Sequence, residues 1–538
     1  MWARHNRPVM LSAALVMLAA LSVTACDAGS SPPETSVTST GAVTTTTTNT
    51  DVVTTTTTTT TTIPTTSVPP STIAPPALGP TTTTEPVETT SGTVPDGATA
   101  VAPEDDLAAL VTNAAPGTRF VLLPGVHRIK QVTPKDGMTF DGMPGAVLNG
   151  SRLLQDFQQA EDGWVATGLN LSTSGHGECV AGYEACALVN DLFVDDQMLW
   201  RVDSREQVAS GTWWSDGHQI VMGDDPAGRK VEVSITEHAF LSDAADVTIE
   251  NLVVEKFATI AQGGAIQSQL PGLGARGANW LIESVETRLN HASGIRAGDG
   301  TLIRNVHSHH NGQEGITGNG TGITVESSEI DHNNLRGFEW GWEAAGAKFT
   351  TTTGLVLRDL EVHDNKGPGL WADIDCHDTT FENNVVYGND GPGIFYEISF
   401  DAVIAGNEVY DNGFIMGDWL WGAGILVAAS SGVDVHDNVV TENADGIAGI
   451  QQDRQDNGEL YRLEDLHVYD NTITMWYGQT GVVQDMGDPS VFTDRNIVFE
   501  NNTFVGAGHK AFAWDDRELD WSGWQATGQG RGSTIGNG

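Results

Sequence analysis

Residues 355–375, LVLRDLEVHDNKGPGLWADID, are nearly repeated twenty-four residues later by residues 379–399, TTFENNVVYGNDGPGIFYEIS. Asn365 corresponds to Asn389, and Gly369 corresponds to Gly393. Each copy has a short alternating run, a polar turn that ends in Asn, a Gly and a second short run. One copy is too short to bury an apolar face alone, so we expect neighbouring copies to stack on it.

The Asn that ends the polar turn recurs at positions 290, 311, 333, 365, 389, 412 and 443, at intervals of 21, 22, 32, 24, 23 and 31 residues. Four intervals are one turn of a coil, and the other two carry about ten extra residues, which in solenoids form loops on the binding face. Asn suits such turns because it tolerates left-handed backbone and bonds its own chain, so we expect a structural ladder. Short strands with these turns predict an all-β parallel β-helix of about ten rungs.

The stretch from about 246 to 512 resembles the right-handed parallel β-helix superfamily, which has the pectate-lyase-like fold. The resemblance implies the fold and leaves the reaction open. That superfamily includes polysaccharide lyases, hydrolases, epimerases and noncatalytic surface proteins, so the function has to be argued from the site.

The beginning of the chain predicts export. Arg4 and Arg7 precede an apolar run, which indicates a signal peptide over residues 1–25. Val-Thr-Ala-Cys at 23–26 resembles a bacterial lipobox, which implies lipidation of Cys26; the alternative is an ordinary signal peptide. Residues 26–103 are rich in Thr, Ser and Pro and predict a disordered tether. We therefore expect the folded part on the extracellular face of the bacterial cell envelope, lipid-anchored or secreted.

The rest of the chain divides into three predicted parts. These are an N-terminal cap and β-rich elaboration over 104–245, the parallel β-helix over 246–515, and a C-terminal tail over 516–538. Within the first part, EDDLAALVTNA predicts a short capping helix, because acids precede an apolar i, i+3, i+4 stripe. Cys179 and Cys186 are close enough for a disulfide in an exported protein, and Cys376 is expected to be buried.

Seventy acidic residues against 26 basic residues make nucleic acid and anionic membrane surfaces poor partners. The expected partner is an extracellular polysaccharide, the membrane is contacted through the lipid anchor only, and the protein is expected to be a monomer. An anionic substrate would need a bound divalent cation to neutralise the like charges, which suggests Ca²⁺. No Cys or His spacing matches a zinc motif.

A cluster of carboxylates is predicted on the outside of three adjacent rungs. We place the side chains of Phe338, Leu370 and Ile394 inside the coil. Because alternate side chains of a strand point to the same side, those of Trp340, Ala372, Tyr396, Ile374 and Ile398 then also point inside. The outward columns are then Glu339, Trp371 and Phe395; Gly341, Asp373 and Glu397; and Glu343, Asp375 and Ser399. Stacked carboxylates share a proton or bind a cation, and exposed rings can stack on sugars. The alternative is a solvated acidic face.

This strip gives the candidate site. The predicted metal ligands are Glu339, Glu343, Asp373 and Asp375, and the predicted sugar-binding aromatics are Trp371, Phe395, Trp419 and Trp421. Trp419 and Trp421 lie in the insertion 413–423, which is expected to precede the strand one turn beyond Phe395. The insertion 341–354 is expected to follow the strand that contains Glu339. Together these insertions could wall a groove.

FEWGWEAAGAK (338–348) resembles the calcium and base region of the alginate lyase and chondroitinase B type of β-helix lyases, where Glu-x-Glu followed five residues later by Lys supplies calcium ligands and a general base. Here the two Glu are four apart. The resemblance implies Lys348 as the base of a metal-assisted lyase acting on a uronate-containing polysaccharide. Asp373 and Glu397 are also predicted to be catalytic, because Asp373, Asp375 and Glu397 could supply an acid and a base or nucleophile. The alternatives are a glycoside hydrolase with paired carboxylates, an epimerase, and a noncatalytic glycan-binding or wall solenoid.

Overall fold

The computed structural model describes residues 93–536, except residues 272, 273, 275, 416–418, 457, 476 and 477. The predicted signal peptide, Cys26 and the tether up to residue 92 lie outside this part. Within it, no helix combines the length and the apolar character needed to cross a membrane. The chain is an all-β parallel β-helix, as the repeats predict.

Each turn of the coil contributes strands to three faces. Face 1 contains Phe240–Leu241, Gly264–Gln267, Ser293–Ala297, Glu314–Thr321, Ala345–Thr353, Leu370–Asp373, Ile394–Glu397, Ala423–Ala428, Asp445–Gln451, Thr480–Gln484 and Phe512–Trp514. Face 2 contains Thr99–Val101, Arg119–Leu122, Thr139–Gly142, Thr248–Glu250, Leu281–Glu283, Leu302–Arg304, Thr324–Glu326, Val356–Arg358, His377–Glu382, Phe400–Ala405, Ser431–His436, Glu464–Tyr469 and Val498–Glu500. Face 3 contains Gly125–Arg128, Ala146–Asn149, Val253–Glu255, Glu286–Arg288, His307–His309, Glu329–Asp331, Glu361–His363, Val385–Tyr387, Glu408–Tyr410, Val439–Thr441, Thr472–Thr474, Thr503–Val505 and Thr534–Gly536.

The coil is longer than the repeats predict. Face 3 is a 13-stranded sheet, which means thirteen turns where the sequence indicated about ten. Faces 1 and 2, together with the edge strand Arg517–Leu519, form one 25-stranded sheet. They are joined because the strand Ala345–Thr353 turns the corner between them and pairs with both Leu370–Asp373 and His377–Glu382.

The predicted boundary at residue 246 is wrong, because the β-rich elaboration interrupts the coil instead of preceding it. The early strand Thr139–Gly142 already pairs in parallel with Thr248–Glu250. Between them an eight-stranded sheet is inserted, made of Ser151–Leu154, Gln158–Ala160, Gly163–Thr167, Leu192–Val194, Gln197–Arg201, Thr212–Ser215, Gln219–Met222 and Val231–Ser234. A disulfide joins Cys179 to Cys186 after the third of these strands, and Cys376 is buried in the coil.

Both ends of the coil are closed by helices. The helix Leu107–Asn113 starts at Asp106, whose side chain accepts a hydrogen bond from the backbone of Ala109 at 3.1 Å. The described part of the predicted tail, residues 516–536, is folded, because Trp524 of the helix Trp521–Ala526 is fully buried in the core. The remaining elements are the helix Trp340–Glu343, the 3₁₀ turns Arg205–Gln207 and Pro489–Phe492, the hairpin Gln455–Asp456 and Glu459–Leu460, and the edge strand Arg517–Leu519.

Two ladders of buried asparagines hold the turns in register. In the predicted ladder, Oδ1 of Asn389 accepts hydrogen bonds from the backbone and the side-chain amide of Asn365, at 3.1 and 2.9 Å. The same pattern links residues 290, 311, 333, 365, 389, 412 and 443. A second ladder, which the sequence analysis missed, links residues 384, 407, 438, 471 and 502. Buried amides are therefore paired from one turn to the next.

The inward positions follow the expected alternation only within the strands. Leu370, Ala372, Ile394 and Tyr396 belong to the main core, as predicted. Ile374 is 39% exposed, because its backbone is left-handed (φ 52°) and the alternation ends one residue earlier. Ile398, also left-handed, packs in a small separate cluster outside the coil.

Candidate active site

The strand Ala345–Thr353, which precedes Leu370–Asp373 on face 1, starts later than the sequence pattern predicted. Ala347, and not Phe338, aligns with Leu370 and through it with Ile394. Phe338 and Trp340 lie outside the coil, in a separate cluster with the disulfide. Most of the predicted insertion 341–354 is therefore this strand, Ala345–Thr353, and Glu339 is not part of it. The extra residues of this turn precede the strand instead of following it, at the same corner as the insertion 413–423.

A column of glycines fixes this register. A Cβ on Gly346 would lie 2.7 Å from the carbonyl oxygen of Gly369, and a Cβ on Gly369 would lie 2.7 Å from that of Gly393. Such contacts are too short for any side chain, so these turns need Gly at this corner. Gly337, the residue that precedes Phe338, instead has a left-handed backbone (φ 73°) and faces the ring of Tyr183.

The corrected register places Lys348 inside the strand, in the outward column that contains Trp371. Its Nζ lies 2.7 Å from Oε2 of Glu343 and 3.0 Å from Oδ2 of Asp373, and 3.6 Å from the centroid of the Trp371 ring. Burial lowers the pKa of Lys348, but the charges of Glu343 and Asp373 outweigh it and raise the pKa to about 12. A general base has to be unprotonated near neutral pH, so this charged, buried amine does not fit the base role that the resemblance implies.

Asp373 and Glu397 form the centre of the site. They end adjacent strands of face 1 and are only 4% and 5% exposed. Oδ1 of Asp373 has no hydrogen-bond partner within the described chain. Burial raises the pKa of Asp373, although Lys348 opposes the shift. Burial and the neighbouring charge of Asp373 raise the pKa of Glu397 to about 7.

Three further residues of the site were missed by the sequence analysis. Arg454 donates from Nη1 to Oε1 of Glu397 at 2.8 Å, and the hydroxyl of Tyr461 donates to Oδ1 of Asp375 at 2.7 Å. Both residues come from the segment after the strand Asp445–Gln451. They lie 57 and 86 residues from their partners, so no sequence pattern indicated the contacts.

Glu314 is the third missed residue. It is fully buried on face 1, and its Oε2 accepts a hydrogen bond from the hydroxyl of Ser293 at 3.0 Å. Burial, followed by the charge of Glu343, raises the pKa of Glu314 to about 8. Its position directly before Gly315, a member of the glycine column, was the signal that could have found it.

The carboxylates chosen as calcium ligands do not fit a calcium site. Glu339 caps the helix Trp340–Glu343 by accepting from the backbone of Gly341. Glu343 and Asp373 both bind the amine of Lys348, which occupies the position between them. Asp375 accepts from Tyr461. Calcium takes six to eight oxygen ligands directed at one point, and these four carboxylates do not provide such a set.

The aromatic residues are placed differently from the prediction. Trp371 and Phe395 do face outward and stack with centroids 5.2 Å apart, but they are only 3% and 1% exposed. Their faces are closed because Leu420 and Trp421, from the insertion 413–423, pack over them. Trp419 is 42% exposed and its ring nitrogen bonds to Gln479.

Comparisons with known proteins agree with the fold. The model of a family described as "Right handed beta helix region" matches residues 271–440. The structure of XylC in complex with xylose aligns with a TM-score of 0.59 at 14% identity, covering 80% of this chain and 82% of that chain. The A-module of the mannuronan C-5 epimerase AlgE6 of Azotobacter vinelandii aligns with a TM-score of 0.48 at 15% identity, covering 80% and 93%. No match is found among curated proteins. At 14% identity the likeness to XylC establishes the fold alone.

Proposed function

We propose that the protein is a polysaccharide-active enzyme in which Asp373 and Glu397 are the acid–base pair that hydrolyses a glycosidic bond. The burial of Asp373 and Glu397 at the ends of adjacent strands carries this proposal, and that burial, with the charge of Asp373, raises the pKa of Glu397 to about 7. Two neighbouring carboxyl groups, one protonated and one ionised, can divide the roles of acid and base or nucleophile near neutral pH. Glu397 is then the proton donor, and Asp373 is the ionised partner.

The neighbouring Lys348 supports the role of Asp373 as the ionised partner. Lys348 bonds to Oδ2 of Asp373, which favours the ionised form of this carboxyl group and leaves Oδ1 available for a sugar hydroxyl or a water molecule. Arg454 bonds to Glu397, and its side chain is 42% exposed. This guanidinium therefore connects the buried pair with the protein surface, where a polysaccharide would approach.

Elimination and epimerisation both require a base that removes a carbon-bound proton. The resemblance assigned that role to Lys348, but its amine is charged and bound between Glu343 and Asp373. Hydrolysis by the carboxyl pair is favoured for that reason. A noncatalytic glycan-binding solenoid is the second candidate, because Asp373 and Glu397 are almost completely buried.

The proposal includes the cellular location. An export signal, a lipobox-like Cys26 and a Thr-rich tether support a monomeric enzyme held on the extracellular face of the bacterial envelope, where it meets extracellular polysaccharide. The disulfide between Cys179 and Cys186 fits an oxidising compartment. The acidic composition disfavours nucleic acid as a partner.

The test is an assay of the full chain on neutral and uronate-containing polysaccharides, with and without EDTA. New reducing ends without an unsaturated product, unchanged by EDTA, are expected for hydrolysis. An unsaturated product that disappears in EDTA would replace hydrolysis with metal-assisted elimination. Retention on a glycan column without any product would favour the noncatalytic solenoid.

A further inference from the structure

Face 3 and the corner that follows it carry a group of histidines that lies outside the candidate active site. Five of the fifteen histidines lie between residues 307 and 363. On the strand His307–His309, His307 and His309 project outward while Ser308 is buried inside the coil. Asp331 ends the next strand and pairs in register with His309. The coil thus joins residues that are one turn apart in sequence.

The side chains converge on Asp331. Its Oδ1 lies 2.8 Å from Nε2 of His307, and its Oδ2 lies 2.7 Å from Nδ1 of His332. Nδ1 of His309 lies 2.8 Å from Nδ1 of His310. We call these five residues the Asp331 patch. The ligand atoms of His307, His309 and Asp331 lie within 4.8 Å of one another, and so do those of His310, Asp331 and His332.

We propose that the Asp331 patch binds a divalent transition-metal ion of the zinc class, with Asp331 as the shared carboxylate ligand and histidines from both groups around it. Imidazole nitrogens with one carboxylate are ligands that Zn²⁺ accepts at about 2.0–2.2 Å in tetrahedral sites. Calcium and magnesium prefer sets made of oxygen alone, so the patch does not suit them.

The surroundings are those of a built site. The side chains of Asp331 and His309 are each only 9% exposed, so little movement is open to them. Nε2 of His309 faces Oε1 of Glu286 at 3.2 Å, which orients the ring and leaves Nδ1 for the ion. The rings of His310 and His332 are parallel, with centroids 4.8 Å apart. An ion here would connect two consecutive turns of the coil, on a different face from Asp373 and Glu397.

The test uses the full chain stripped with a chelator and then given Zn²⁺ or Co²⁺ alone. Zn²⁺ is expected to raise the thermal midpoint, because it binds only the folded state. Co²⁺ is expected to give the visible absorption of a four-coordinate site with nitrogen ligands. Asp331→Asn and His309→Asn should weaken Zn²⁺ binding at least about tenfold, because each removes a ligand.

His436→Asn is the matched control. The ring of His436 stacks on Tyr469, and its Nδ1 bonds to Asp437. This site therefore pairs one histidine with one carboxylate and lacks the second histidine of the Asp331 patch. This variant should bind Zn²⁺ like the wild type. If Asp331→Asn is unstable in chelator, His307→Asn decides instead, because the His307 side chain is 40% exposed and its replacement spares the fold.

The proposal is overturned if the wild type shows neither a shift of the thermal midpoint nor a visible Co²⁺ spectrum. It is equally overturned if His307→Asn and His309→Asn both keep wild-type affinity, or if His436→Asn loses as much affinity as Asp331→Asn.

Discussion

The amine of Lys348 lies 3.0 Å from Oδ2 of Asp373, and the two side chains are 1% and 6% exposed. On its other side the same amine bonds to Glu343 at 2.7 Å. Lys348 is therefore a buried counter-ion that fixes two carboxylates. A base role and a counter-ion role make different predictions for stability, because only a counter-ion offsets the negative charge of the buried carboxylates in the folded state.

Lys348→Met should lower the free energy of unfolding by roughly 3–5 kcal/mol at neutral pH, because Glu343 and Asp373 would remain buried without a cation. Urea unfolding followed by circular dichroism measures the change. Lys130→Met is the control, since Lys130 is 80% exposed and pairs with Asp106 at the surface; it should cost less than about 1 kcal/mol. Equal losses in both variants would contradict the counter-ion role.

Glu397 predicts a pH dependence of stability. Its folded pKa of about 7 lies above the ordinary value of 4.5, so between these values the folded state binds more protons than the unfolded state. The contribution of Glu397 to stability is therefore fully present below about pH 4.5 and is lost as the pH rises to about 7, by at most roughly 3 kcal/mol.

Glu397→Gln should remove this loss. The difference in unfolding free energy between wild type and variant, measured in urea at about pH 5 and about pH 8, should shift in favour of the variant as the pH rises. Glu408→Gln, at an exposed position of face 3, should leave the pH dependence of the wild type in place. A difference that stays constant with pH would show that Glu397 titrates normally.

Sequence reasoning reached the fold because each turn repeats the same physical requirements. Asn365 and Asn389 must pair through their amides, and Gly369 must lack a side chain. The spacing of the glycines could also have placed Lys348, which follows Gly346 by two residues. Gly346 lies 31 residues after Gly315, and Gly424 lies 31 residues after Gly393, so both insertions precede a glycine of the column at the same corner. The Asn-to-strand spacing pointed to Phe338 instead, because Phe338 also follows a glycine.

Other features of the site were beyond sequence reasoning. Arg454 reaches Glu397 from a segment 57 residues away, and no periodic pattern contains it. The burial of Trp371 depends on how the insertion 413–423 folds over it, which alternation alone does not determine. The Asp331 patch escaped because its histidines match no motif in sequence and meet only through the register of the coil.

The asparagine ladder predicts a purely structural class of variant. Asn389→Ala should lower the free energy of unfolding by roughly 1–3 kcal/mol, because it leaves the backbone and side-chain N–H groups of Asn365 buried without an acceptor. Asn365→Ala should lower stability by a similar amount, because it removes the acceptor of the backbone and side-chain N–H groups of Asn333. Asn113→Ala, at the exposed end of the first helix, should change stability by less than about 0.5 kcal/mol. Similar losses at all three positions would argue against the ladder.

The last prediction concerns turnover. Glu397→Gln keeps the shape of the side chain and its bond to Arg454 while it removes the titrating proton, and Asp373→Asn removes the ionised partner. Each should reduce kcat/KM at least about 10²-fold on a polysaccharide that the wild type cleaves, because positioned acid–base groups contribute about 10²–10⁴. In the wild type, kcat/KM should fall as the pH rises above about 7, where the general acid loses its proton.

The reducing-end assay should be run with thermal midpoints for every variant, so that a loss of activity is separated from a loss of folding. Glu408→Gln is again the matched control and should keep full activity. If Asp373→Asn and Glu397→Gln stay folded and active while Lys348→Met is folded and inactive, the carboxyl pair is not the catalytic pair and Lys348 takes part in the chemistry. If all three remain active, the cluster only neutralises buried charge, and a polysaccharide would have to be cleaved elsewhere on the coil.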